Sequence, residues 1–143
     1  MVLTAEQGTF LESHHSAAMI TIGDTGMPKA VRVGVALVDG TLWSSGTQDR
    51  ARTRRLRRDP RCTVFVFDPQ GFSWLTLETT VSLIDGPDAA AQNLRLFRVM
   101  QGRPTGPLTW YGSELDETAF LQAMVKEGRL IYEFDVHRSY GTS

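Results

Sequence analysis

The amino-acid sequence predicts a mainly β fold, an antiparallel barrel with peripheral helices, and three observations carry that reading. Period-two patterning with β-branched residues recurs, most clearly where Val31, Val33 and Val35 alternate with Ala30, Arg32 and Gly34. Hairpin chemistry joins successive runs, with Asp39-Gly40 the strongest signal. The strand–helix–strand alternation of a parallel sheet is missing, which favours a closed antiparallel architecture over a doubly wound one.

The elements follow in order. A short helix around Phe10 and Leu11 precedes a strand over 16–22, and Gly23-Asp24-Thr25-Gly26 turns the chain before Pro28. A strand over 29–38 pairs through Asp39-Gly40 with one over 41–45. An arginine-rich run reads as a short helix, N-capped by Thr47 or Asp49 and ended by Asp59-Pro60. Strands over 62–67 and 72–84 flank the turn Asp68-Pro69-Gln70-Gly71. Pro87-Asp88 opens an amphipathic helix with Ala90, Leu94, Phe97 and Gln101 on one side, and Gly102 closes it. A loop over 102–112 carries two aromatics expected to be exposed, Trp110 and Tyr111. Ser113 with Asp116 resembles a capping box for a helix over 114–127, closed by Gly128, and a strand over 129–136 completes the chain.

Size and composition bound the function. The 143 residues form one expected domain, 1–143, and the 41% apolar and 22% charged fractions are those of an ordinary globular protein. No apolar run approaches the roughly 20 residues that span a bilayer, so no membrane partner is expected. The first 13 residues carry Glu6 and Glu12 and no basic residue, unlike a secretory signal. The single cysteine, Cys62, leaves no internal disulfide framework and fits a cytoplasmic location. His14, His15 and His137 lack metal-ligand spacing, so no metal is expected. Dinucleotide-binding Gly-x-Gly-x-x-Gly, the Gly-Lys-Ser/Thr phosphate loop and the Gly-x-Ser-x-Gly elbow are all missing.

Charge is distributed very unevenly. Seven of the fifteen basic residues are arginines at 50, 52, 54, 55, 57, 58 and 61; against Asp59 they give that stretch +6, while the remaining eight basic and fifteen acidic residues sum to −7. On a helix, Arg50, Arg54 and Arg57 or Arg58 share one side, Arg52 and Arg55 another, with Thr53 and Leu56 toward the core. Three readings stay open from pattern alone: a solvated basic face tied to acidic neighbours, a nucleic-acid patch, and a small-molecule phosphate site at a helix N-terminus. The acidic remainder of the chain disfavours nucleic acid as a partner.

The segment Arg50-Ala51-Arg52-Thr53-Arg54-Arg55-Leu56-Arg57-Arg58-Asp59-Pro60-Arg61, between a strand ending Ser44-Ser45-Gly46-Thr47 and one starting at Cys62, resembles the signature of the split-barrel flavin and deazaflavin oxidoreductases, the pyridoxamine-phosphate-oxidase-like superfamily. The turn Gly26-Met27-Pro28, the strand Trp74-Leu75-Thr76-Leu77-Glu78, the pair Ala123-Met124 and the final Tyr140-Gly141 agree in order. The likeness spans nearly the whole chain and is strongest to the subgroup that binds the deazaflavin coenzyme F420 rather than FMN.

The resemblance implies a six-stranded split barrel, a homodimer with the cofactor at the subunit interface, and a small-molecule substrate. It places the phosphate tail on Arg50, Arg52, Thr53 and Arg55, with Ser45, Gly46 and Thr47 along its approach. The ring would lie along Arg32, Val33 and Gly34, and Trp74 would contact it. Arg52 stands where many relatives have lysine, Arg55 where several have an amide, and Gly34 where a ring-contacting side chain is common, which leaves extra room. A deazaflavin carries the hydride itself, so the chain needs no paired carboxylates or activated nucleophile, and no catalytic residue is assigned. Glu78 is a candidate proton donor only if buried, Trp110 and Tyr111 are a candidate roof over a substrate, and Cys62 reads as a core residue. The leading expectation is a reductase passing hydride from reduced F420 to a small organic acceptor. An FMN-dependent oxidase or reductase of the same fold and a non-catalytic cofactor or haem binder are the alternatives.

Overall fold

A computed structural model describes residues 3–142; residues 1, 2 and 143, at the ends of the expected domain, lie outside the described residues. The chain runs α1 (Ala5–Ser13), β1 (Ser16–Ile22), β2 (Pro28–Val38), β3 (Thr41–Thr47), α2 (Ala51–Arg58), β4 (Arg61–Phe67), β5 (Trp74–Ile84), α3 (Ala89–Gln101), β6 (Leu108–Trp110), β7 (Ser113–Leu115), α4 (Glu117–Lys126) and β8 (Arg129–Gly141). Six strands close an antiparallel barrel in the order β1-β2-β3-β8-β5-β4, with β4 returning to β1. This is the mainly β six-stranded barrel expected from the sequence. Among the described residues no helix is long and apolar enough to cross a membrane.

Alternation along each strand fills the barrel. Ala17 and Met19 of β1, Val35 of β2, Val64 and Val66 of β4, and Leu75 and Leu77 of β5 point inward and are buried with Tyr132 of β8. Helix α2 closes the end where β3 stops, lowering Leu56 and Thr53 into the core. Helix α1 lies against the opposite end, near Gly40 and Thr41. Its capping box is formed by Thr4 and Gln7.

β3 is buried on both faces because α3 lies on the outside of the barrel, where Leu96 packs on Ala36, Trp43 and Ile131. A third cluster, Leu108, Phe120 and Met124, joins the β6–β7 hairpin and α4 to the far side of α3. Gly102 ends α3 in the left-handed conformation that the sequence suggests.

Of the boundaries that differ from expectation, three have an identifiable partner behind them. The helix expected over 114–127 begins later: Ser113 and Glu114 pair as β7 with β6, and Asp116 caps α4 through its own carboxylate to the Ala119 amide at 2.8 Å. The N-cap of α2 is Arg50, with no side-chain cap, because the Thr47 hydroxyl instead donates to Asp49 at 2.7 Å. The last strand continues past Val136 to Gly141, since β5 is long enough to pair with it beyond a bulge between Glu78 and Thr79.

Gly46 is fixed by packing. A Cβ there would land on the Tyr132 ring, which is fully buried under α2. Gly46→Ala is therefore expected to lower unfolding free energy by about 1–3 kcal/mol, read as a lower urea midpoint at unchanged slope. An unchanged midpoint would mean the barrel mouth is looser than this packing requires.

Candidate functional site

The C-terminal half of α3, the β6–β7 hairpin and the barrel wall enclose a cleft of about 490 Å³. β2 contributes Arg32, Val33 and Gly34, β3 contributes Ser45, and the start of α2 contributes Arg50 and Arg52. The facing wall is Phe97, Met100 and Gln101 of α3, Trp110 and Tyr111 of the hairpin, and Arg129 of β8. Four guanidinium groups and no carboxylate line the space. In such a wall an anion has partners and a cation has none.

The seven clustered arginines, at and around α2, divide into two sets. Arg57 pairs with Asp85 at 3.0 Å and Arg61 with Asp59 at 2.8 Å. Hydrogen bonds from Arg61 hold the Asp59 carboxyl down at about pH 2, below its ordinary range. Arg54 donates to the Asp49 carbonyl at 2.5 Å, Arg55 to the Thr21 hydroxyl at 2.7 Å and Arg58 to the Ile22 carbonyl at 2.9 Å. Arg57 and Arg61 fit the reading of a solvated face tied to acidic neighbours, while Arg54, Arg55 and Arg58 are held by neutral oxygens. Arg50 and Arg52, the two that reach the cleft, have no acidic partner among the described residues.

Arg52 is the unusual one. Its Nη2 donates to the Ser45 carbonyl at a long 3.4 Å, its guanidinium lies 5.6 Å from the Tyr132 ring centroid, and its buried Nε has no acceptor. Burial pushes its pKa below the ordinary arginine value; Tyr132 offsets part of this, and Arg50 and Arg129 repel it further. Buried donors of this kind are ordinarily paired, which makes Arg52 Nε an exception among the described residues. The α2 terminus adds two more donors. The Arg50 carbonyl takes the Thr53 and Arg54 amides, which leaves those of Ala51 and Arg52 without backbone partners among the described residues.

The other expected site residues fall in different places. Thr47, Arg50, Arg52 and Arg55 line an adjoining hollow of about 410 Å³ with Val31, Asp49 and Ala51. Asp49 is acidic there, held below its ordinary pKa chiefly by the Thr47 hydroxyl. Gly46 faces Tyr132 inside the barrel rather than the cleft. Thr53 is fully buried, its hydroxyl spent on the Thr47 carbonyl at 2.7 Å and on the Tyr132 phenol, so it has no free donor for a tail. Trp74 lies outside the cleft, stacked on Phe65 at 5.7 Å and edge-on to Tyr140 at 6.2 Å. The room expected above Gly34 is taken by Met100, whose Sδ lies 2.9 Å from where a Cβ would sit. Glu78 is exposed, which removes the condition on which it was a proton-donor candidate. Trp110 is half-buried, not exposed, while Tyr111 is exposed as expected.

Arg129 and the α3 side chains were missed. Arg129 reads in sequence as an ordinary strand opener, and Phe97 and Gln101 as one face of an amphipathic helix. Only the docking of α3 turns that face toward the cleft. Ser45, by contrast, is pinned: its hydroxyl donates to the fully buried Asn93 of α3. The buried Cys62 thiol is pushed up to about 12 by burial, as befits a core residue.

Comparison with known proteins agrees with this fold. The sequence model of the family described as pyridoxamine 5'-phosphate oxidase matches residues 3–141. Rv2991, a conserved protein from Mycobacterium tuberculosis, superposes with a TM-score of 0.76 at 21% identity, covering 99% of this chain and 84% of its own. A protein described as an F420 reductase gives 0.69 at 18% identity, covering 96% and 98%. A proposed pyridoxamine 5'-phosphate oxidase from Listeria innocua gives 0.64 at 16%, covering 93% and 92%. The chain belongs to the pyridoxamine 5'-phosphate oxidase family, and its fold is that family's split barrel.

If Arg52 waits for an anion, removing its charge should not harm the empty protein. Arg52→Met is expected to melt at or above the wild-type temperature in low-salt buffer. Inorganic phosphate should raise the melting temperature of the wild type more than that of the variant. A lower melting temperature for ligand-free Arg52→Met would instead make Arg52 a structural residue.

Proposed function

We propose that this member of the pyridoxamine 5'-phosphate oxidase family is an F420-dependent reductase that delivers hydride to a small organic acceptor. The observation that carries the reading is the buried, unpartnered Nε of Arg52 on a cleft with four arginines and no acid. The F420 reductase among the structural neighbours supports the choice of coenzyme.

The residues present fit such a group. Arg50, Arg52 and the free amides of Ala51 and Arg52 offer charge-assisted donors to a phosphodiester. Ser44 donates to the Gly34 carbonyl at 2.7 Å and so holds the Arg32-Val33-Gly34 segment as a firm floor. Met100 and Phe97 give that floor an apolar cover that excludes water. F420, when bound, supplies the hydride, so the chain's work is to bind, orient and keep dry.

FMN is the second reading, favoured by the family match itself. It has one terminal phosphate, which the same donors would take. Fluorescence titration separates the two. F420 is expected to bind tightly, with FMN weaker, and Arg50→Ala and Arg52→Ala should each cost about 1.5–3 kcal/mol of F420 affinity. FMN retained through purification would decide for the flavin, and unaltered affinity in both variants would remove the tail assignment.

A homodimer is part of the proposal. Phe65, Phe67 and Trp74 form an aromatic band on the outer barrel face, with Tyr140 46% exposed at its edge. Arg32, which lines the cleft, lies over Phe67 at 5.6 Å, so the band runs up to the cleft mouth. A second copy covering the band would therefore also shield the site. Light scattering should give twice the mass of one chain, and Trp74→Asp should halve it. A monomeric wild type at micromolar concentration would end this part of the reading.

A further inference from the structure

The outer wall of the cleft holds a residue in a conformation it does not favour. Trp110-Tyr111-Gly112-Ser113 is the turn between β6 and β7, with φ of +50° at Tyr111 and +79° at Gly112. Positive φ at both central positions is the type I′ turn, where Asn, Asp or Gly is the usual first residue. A bulky tyrosine there is strained, and strain kept at a cleft points to use.

A clamp holds it in place. Glu127 accepts from Trp110 Nε1 at 2.8 Å and from Arg129 Nε at 3.0 Å. Arg129, 7% exposed, lies 4.9 Å from the Trp110 ring centroid and donates from Nη2 to the Tyr111 hydroxyl oxygen at 3.3 Å. Because the phenol oxygen accepts from Arg129, its own proton is left to donate elsewhere, and no acceptor for it exists among the described residues. The Tyr111 side chain lines the cleft and is 78% exposed. Around it Phe97, Met100 and Trp110 supply flat or soft apolar surface.

We propose that Tyr111, held by Arg129, is the hydrogen-bond and proton donor to the acceptor, and that the acceptor is a neutral planar oxo compound such as an aryl ketone. The inference rests on the reductase reading of the cleft. Hydride from reduced deazaflavin forms a C–H bond at the carbonyl carbon, and the carbonyl π pair moves to oxygen. The Tyr111 O–H bond breaks and its proton goes to that oxygen, giving the alcohol. In balance the ketone would gain a hydride and one proton, and reduced deazaflavin, when bound, would supply that hydride and release to water the proton that restores Tyr111.

Acetophenone labelled with ¹³C at the carbonyl tests this without turnover. Bound to the coenzyme-free wild type, its carbonyl stretch should move to lower frequency, and Tyr111→Phe should abolish that shift and weaken binding roughly five- to tenfold. Tyr111→Asn, which suits the turn, should melt above the wild type while also losing the shift, separating ligand contact from folding. With coenzyme present, Tyr111→Phe should lower kcat about 100-fold and leave F420 affinity within twofold. A carbonyl shift retained in Tyr111→Phe overturns the inference. If acetophenone behaves as expected but F420 does not bind the wild type, the coenzyme assignment falls and the Tyr111 subsite stands.

Discussion

Closure of the barrel between β1 and β4 is the constraint on which the site depends. β3 is flanked by β2 and β8, and β4 by β1 and β5, so the two consecutive strands are never neighbours. The chain leaving Thr47 must cross the barrel mouth before it can begin β4 at Arg61. A helix that lowers Thr53 and Leu56 into the opening makes that crossing and plugs the end at once. Its solvent sides are then committed, and the positions nearest the β3 exit, 50 and 52, are the ones aimed at the outer wall of β2 and β3. Gly46 and the Thr53–Tyr132 contact are the fitted parts of this plug. They matter to the site because they position the helix that carries its charges.

Arginine density alone does not single out an anion site; the pattern of partners marks the proposed one. Like charges crowded on two helical turns repel, and most of the cluster relieves this locally. Arg57 and Arg61 find carboxylates, while Arg54, Arg55 and Arg58 reach neutral oxygens. Those bonds are exposed or half-exposed and contribute little individually. Arg52 is different in kind, because desolvation raises the cost of a charge that has no counter-ion. The sequence shows seven arginines clustered between positions 50 and 61, and only the fold shows that Arg50 and Arg52 reach the cleft without an acidic partner among the described residues.

The strands were legible because period-two alternation is a local signal, and β1 and β2 fall where the pattern puts them. Turn chemistry at Asp39-Gly40 and the helix stop at Gly102 were equally local. The errors lie where a non-local partner decides. Ser113 and Asp116 both suit a cap, and the pairing of Ser113 with Trp110 across the hairpin chose Asp116. Thr53 looked like a tail ligand until Tyr132, far away in sequence, was found on its hydroxyl. Arg129 carries no sequence mark at all, since its role comes from Glu127 and Trp110 meeting beside it.

Helix α3 is what turns one face of a barrel into a binding cleft. One side of it, through Leu96 and the Asn93–Ser45 bond, is locked to β3, and the other carries Phe97 into the cluster with Trp110 and Phe120. Met100 is thereby set over Gly34, and only glycine leaves space for its sulfur. The unbranched thioether is adaptable, so this contact can yield to a flat ring in a way that a β-branched or aromatic side chain could not. Glycine at 34 and methionine at 100 are thus a matched pair across the cleft. Under the proposed function, ligand shape is read by α3 and the hairpin, and ligand charge chiefly by the start of α2. The two functions sit on elements that pack through separate clusters, which allows the acceptor wall to change without disturbing the anion end.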